Sequence, residues 1–135
     1  MRIVIDTNVV VSALLSTFGP PAQIVELISR GDITIVVDDR IVSEYSDVLT
    51  RPELNLDAWD VEEFLSLAED AEHILGAPLP LELPDPDDAA FLEIAVAGAV
   101  DALVTGNEKH FKVPGGKLAV PILSPRRFLE IFAGR

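Results

Sequence analysis

Residues 1–14 read Met1-Arg2-Ile3-Val4-Ile5-Asp6-Thr7-Asn8-Val9-Val10-Val11-Ser12-Ala13-Leu14, and the period of the pattern changes partway along. Ile3, Val4 and Ile5 are apolar at consecutive positions, as in a short strand covered on both faces. Val9, Val10, Ala13 and Leu14 instead recur at helical spacing. Asp6 therefore closes a buried first strand, and a helix follows at once from Thr7.

The same alternation continues outward. Pro20-Pro21 opens a second helix in which Ile24, Val25, Leu27 and Ile28 face inward and Gly31 supplies the stop. Ile33 to Val37 reads as a second strand. Asp38 and Asp39 cap a helix whose Ile41, Val42, Tyr45, Val48 and Leu49 form one apolar stripe ending near Arg51-Pro52. An amphipathic helix is expected over Asp57 to Glu72, with Ile74 and Leu75 as a short third strand. Pro80 to Pro86 reads as loop, with Asp85 and Pro86 as cap and first residue of a helix that runs to Gly98. Ala102 to Thr105 is a fourth strand, Gly106 to Gly116 a loop and Val120 to Leu123 a fifth strand, and Ser124-Pro125 opens a terminal helix. Strands alternating with helices imply an α/β fold with a parallel sheet covered on both faces. No repeat or Gly/Ser linker divides the chain, so residues 1–135 are expected to form a single domain.

Composition narrows the setting. An apolar content of 49% over 135 residues is enough to bury a core. The absence of cysteine excludes a disulfide framework and a thiolate metal site. Asp6 interrupts the first apolar run before it reaches the length of a signal-peptide core, and no later run is long enough to span a bilayer, so the cytoplasm and no membrane partner are expected. With 23 acidic against 10 basic residues the net charge is −13, a sign that repels phosphate backbones. Charge alone thus argues against nucleic acid, and most of these carboxylates read as solvated surface.

Four positions do not fit that reading when taken together. Open parallel sheets bind ligands outside the C-terminal ends of their strands, and Asp6 and Asn107 each follow a strand there. On the helical period, Asp88 falls within the arc of Phe91, Leu92 and Ala95, whereas Glu93 points away from it. Glu44 flanks Val48 beside its apolar stripe, within reach of the sheet. Carboxylates converging without basic partners repel one another unless a divalent cation neutralises them. Oxygen-only donors favour Mg²⁺ or Mn²⁺ over zinc. Taken singly, Asp85 reads as a helix cap, Asp87 as a first-turn residue complementing the helix dipole and Glu44 as a boundary glutamate.

Four motifs carry a family resemblance: Asp6-Thr7-Asn8 after a first strand, Glu44 within Ser43-Glu44-Tyr45-Ser46-Asp47-Val48-Leu49-Thr50-Arg51-Pro52, Asp85-Pro86-Asp87-Asp88-Ala89-Ala90-Phe91-Leu92, and Leu103-Val104-Thr105-Gly106-Asn107. In this order and spacing, over nearly the whole chain, they resemble the PIN-domain family, and within it the VapC-like toxin components of toxin–antitoxin systems. The resemblance implies a three-layer α/β/α domain with strand order 3-2-1-4-5 and metal-dependent cleavage of RNA. It also implies Asp6, Glu44 and Asp88 as metal-binding acids, Thr7, Asn8 and Thr105 as residues that order them by hydrogen bonding, and a small antitoxin protein as partner; the acidic charge of the chain makes a basic antitoxin the expectation, and a homodimer is expected. Asn107 occupies the family's fourth acidic position. An amide can coordinate through its carbonyl oxygen but brings no charge, which weakens a second metal position. Glu108 is a candidate substitute, whereas Asp101 precedes its strand and belongs at the opposite edge.

The chemistry implied is hydrolysis of a phosphodiester by water whose pKa a metal lowers, the carboxylates holding metal rather than attacking. Lys109, His110 and Lys112, with Phe111, form a basic and aromatic cluster after Asn107, suited to phosphate and base contacts or to an ordinary exposed loop. Three other readings compete: a PIN-like domain that binds RNA or protein with feeble catalysis, a Mg²⁺-binding phospho-receiver module, and a phosphotransferase with Asp6 as nucleophile. The receiver wants an acidic pair closing the first strand, and the phosphotransferase wants an aspartate where Asn8 stands.

Overall fold

A computed structural model of the chain describes residues 1–79, 83, 86–111 and 120–134, the side chain of Asp87 excepted. The strands are β1 (Arg2–Ile5), β2 (Thr34–Val37), β3 (Glu72–His73), β4 (Ala102–Val104) and β5 (Ile122–Leu123), and the helices α1 (Thr7–Leu15), α2 (Pro20–Ser29), α3 (Asp39–Leu49), α4 (Ala58–Glu69), α5 (Ala89–Ala97) and α6 (Pro125–Ala133). The five strands form one sheet of order β3-β2-β1-β4-β5 in which every pairing is parallel.

Ile3, Val4 and Ile5 are all buried, and because successive strand side chains face opposite ways, β1 must be covered on both sides. This is the three-layer α/β/α arrangement that the apolar run implied. On one side α5 packs against β1, β2 and β4 and touches α3, while α6 contacts β4 and α2. Tyr45, Phe64 and Phe91 join α3, α4 and α5 through ring contacts at centroid distances of 5.4 and 6.3 Å.

Three helix starts, those of α3, α4 and α6, are explained by side-chain caps. The Asp38 carboxylate accepts from the Ile41 N–H at 2.9 Å, Asp57 accepts from Trp59 and Asp60, and the Ser124 hydroxyl accepts from Arg127, each satisfying donors that the first turn leaves open. Gly31, at φ 82°, takes the left-handed conformation just beyond α2.

Several boundaries differ from the sequence pattern. The third strand is Glu72–His73, not Ile74–Leu75: Val36 and Val37 pair with Glu72 and His73, and Leu75 is 95% exposed. An edge strand needs only one neighbour, so it tolerates polar residues, and the Arg2 guanidinium clasps Glu72 in place. Helix α4 accordingly ends at Glu69 rather than Glu72. The stretch around Pro86 is a 3-10 turn, Pro86–Asp88, before α5 begins at Ala89, and the expected cap Asp85 lies outside the described residues, as does most of the Pro80 to Pro86 loop. Strand β5 starts at Ile122 because Pro121 has no N–H to give the ladder, although its carbonyl accepts from Leu103 at 2.9 Å. In the loop after β4, Glu108–Phe111 forms a 3-10 turn with Phe111 buried.

Candidate active site at the end of β1

The sheet order reverses direction at β1, with β2 on one side and β4 on the other, and the crevice beyond the C-terminal ends of such strands is where open α/β sheets bind. Asp6 stands there. Its N–H continues the ladder to the Val104 carbonyl at 2.9 Å, and its Oδ2 accepts from the Thr105 hydroxyl at 2.8 Å. Thr105 Oγ1 in turn accepts from the Asn107 N–H at 3.0 Å. Asp6 is 4% exposed, and burial pushes its pKa up; the Thr105 hydroxyl, the nearby N–H groups of Asn8 and Thr7 and the charge of His110 only partly offset this. The two N–H groups favour the charged form without closing a capping hydrogen bond on Asp6.

Thr7 is buried at the first position of α1, and its hydroxyl donates to Glu44 Oε2 at 2.6 Å. Half-buried Glu44 thus turns toward the end of β1, as its place beside the apolar stripe suggested. Asp88 lies at the N-terminal edge of α5, mostly buried, with His110 Nδ1 3.3 Å from its Oδ2. The side chains of Asn8 and Asn107 are exposed, as are Glu108 and Lys109, while Lys112 lies outside the described residues. Asp101 accepts from the Arg2 N–H at 2.8 Å, at the far end of β1 from Asp6, where the strand argument put it.

Sequence reasoning missed three contacts. Tyr45, read as an apolar stripe residue, donates its hydroxyl to the Ile5 carbonyl at 2.5 Å, directly behind Asp6. His110 meets Asp88 rather than standing free in a loop. Arg40 bridges Asp38 Oδ2 at 2.7 Å and Glu93 Oε1 at 2.8 Å, so Glu93, turned away from the Phe91 arc, faces a cation instead of water.

Among the described residues no lysine or arginine pairs with Asp6 or Glu44, and a buried carboxylate without a cationic side chain suits a hard divalent ion. The donor chemistry of Asp6, Glu44 and Asp88 therefore fits such an ion. Their spacing does not close a cage, since among the described residues no group of three or more His, Asp or Glu side chains is arranged to hold a metal. Glu44 is drawn to Thr7, and Asp88 to His110.

Among the described residues no single helix is long and apolar enough to cross a membrane. No curated protein and no solved structure matched the chain. A match to the PIN domain family spans residues 2–109. That span holds β1 to β4 with Asp6, Glu44, Asp88 and Asn107, and the chain belongs to the PIN-domain family, whose fold is generally that of a nuclease.

Proposed function

We propose that this protein is a divalent-metal-dependent endoribonuclease acting as the toxin of a toxin–antitoxin pair. The observation that carries the nuclease reading is Asp6: buried, unpaired by any lysine or arginine among the described residues, and held in orientation by Thr105 at the switch point of the sheet. Asp6, Glu44 and Asp88 would hold Mg²⁺ or Mn²⁺, with the Asn107 carbonyl a neutral fourth donor. When bound, such an ion supplies Lewis acidity, lowering the pKa of attacking water and offsetting charge on the scissile phosphate. Thr105 and Thr7 keep one oxygen each of Asp6 and Glu44 engaged, which fixes where the remaining lone pairs lie. His110 holds Asp88 on the side of β4.

The toxin role rests on the family resemblance and on charge. A −13 chain attracts a basic protein more readily than RNA, and an Arg or Lys of a small basic antitoxin placed among the acids would compete with metal. The uncharged Asn107 and the open spacing of the acids favour one alternative, a PIN domain that binds RNA with little turnover.

Mg²⁺-dependent cleavage of RNA by the purified chain, lost in Asp6→Asn, tests the nuclease. Full activity in that variant refutes the assignment, and RNA binding without cleavage selects the alternative. Growth arrest on expression, relieved by a small basic neighbour protein that co-purifies, tests the toxin role separately.

A further inference from the structure

Arg40 is out of keeping with its place. It stands in the first turn of α3, where the helix dipole disfavours a cation, and it is the one arginine or lysine between Arg30 and Arg51 in a chain of net charge −13. Two carboxylates hold it: Asp38, which also caps α3, takes Nε, and Glu93, with a side chain only 12% exposed, takes Nη1. The Arg40 side chain nevertheless remains 51% exposed, and Nη2 has no hydrogen-bond partner among the described residues. The plane of the guanidinium is thus set in advance, and among the described residues Nη2 is the nitrogen left to bind.

A hollow of about 280 Å³ adjoins it between α3 and the start of α5, lined by Arg40, Ile41, Glu44, Pro86, Ala89 and Ala90. Its wall is apolar on the α5 side, with a cation at one place and Glu44 at another. Sheet order sets this hollow in a line: Arg40 follows β2, Asp6 follows β1 and Lys109 follows β4, on strands roughly 4.8 Å apart. A single strand crossing this edge meets a cation, then the acids, then a cation.

We propose that the hollow between α3 and α5 is a nucleotide subsite, in which Arg40 binds the phosphate next to the scissile one and the base lies against Pro86, Ala89 and Ala90. The proposal rests on the ribonuclease reading and deepens it. It explains how an acidic chain holds a polyanion: cations beside the acids act locally where the net field repels. Glu93 has two effects, aiming the guanidinium and damping its charge until phosphate arrives.

The test measures binding of a fluorescein-labelled single-stranded oligoribonucleotide to the full chain by anisotropy, with chelator present so that nothing is cleaved, across potassium chloride concentrations. Arg40→Met weakens binding about tenfold at low salt and flattens the log–log salt slope by about 0.7, the loss of one phosphate contact on a single strand. Arg40→Lys keeps the slope. Glu93→Gln, which releases Arg40, binds several-fold more tightly than Glu62→Gln, which makes the same charge change at an exposed position on α4 near Arg51. If Arg40 merely bolts α3 to α5, Arg40→Met and Glu93→Gln both melt earlier and leave the slope at its wild-type value, and the subsite is refuted while the ribonuclease stands. A wild-type chain that binds no RNA at any salt concentration refutes the subsite, and one that also fails to cleave RNA with Mg²⁺ overturns the ribonuclease reading with it.

Discussion

Asp6 carries its charge at a cost in stability, which sets the pH dependence of the site. Burial, the largest influence, raises its pKa above the ordinary carboxylate value. A carboxyl harder to ionise when folded contributes stability that is fully present below the unfolded pKa of about 3.9 and is lost as pH rises through the folded one. Asp6→Asn keeps an acceptor for Thr105 and removes that loss. In chelator, the variant should melt at or above the wild type at neutral pH, the gap closing as pH falls below the carboxylate range. A variant that melts lower at neutral pH would mean that the hydrogen bonds to Asp6 outweigh its desolvation. Thr105 orients Asp6 and also holds the Asn107 N–H, so Thr105→Val should cut Mg²⁺-dependent cleavage by about 10- to 100-fold and raise the metal concentration needed for half-maximal rate; loss of rate with no change in metal dependence would contradict the positioning role. The placement of Asp6, Glu44 and Asp88 was legible because strand ends and helix faces follow from sequence period, whereas Thr105 was suggested by the family resemblance alone. The partners of Tyr45, His110 and Arg40 were not, because a hydroxyl at a stripe position or a cation in a first turn looks the same whichever residue from a distant segment meets it.

At the scale of elements, the centre of the sheet was legible and its margins were not. Ile3 to Ile5 and Ile35 to Val37 are buried, so their hydrophobic runs carry the strand signal directly. Strand β3 is an edge, paired only to β2, and its polar Glu72 and His73 gave no such signal. The end of α5 shows another local trade. Gly98 looked like the helix stop, yet it keeps right-handed geometry at φ −82°; a Cβ there would meet Ile74 Cδ1 at 2.9 Å, and its carbonyl accepts from Arg2. The left-handed turn falls instead on Ala99, at φ 46°. Left-handed geometry costs an L-residue about 1–2 kcal/mol, and glycine escapes most of it. Ala99→Gly should therefore stabilise the fold by roughly 0.5–1 kcal/mol in urea unfolding, with RNA binding unchanged; destabilisation would place the strain elsewhere.

Across the whole molecule the net charge of −13 acts on two equilibria in opposite directions. Self-repulsion penalises the compact state and is screened by salt, so the melting temperature should climb with potassium chloride over the range where the Debye length falls from about 30 to 10 Å. RNA binding through Arg40 and Lys109 should fall over the same range. A melting temperature that drops with salt would show that the bridges of Arg2 and Arg40 contribute more than the repulsion. The sequence holds one tyrosine and one tryptophan, and they stand at opposite extremes: Trp59 is 74% exposed, whereas Tyr45 is wholly buried behind Asp6. Indole fluorescence, already that of a wetted ring in the native state, will barely register unfolding. The phenol is a better reporter, since burial first, and the charges of Asp6 and Glu44 after it, hold its pKa well above the ordinary tyrosine value. In an alkaline titration its ultraviolet absorbance should stay that of the neutral ring until the chain opens, then change in one step. That single optical band dates the exposure of the sheet beside the acids, with no label attached.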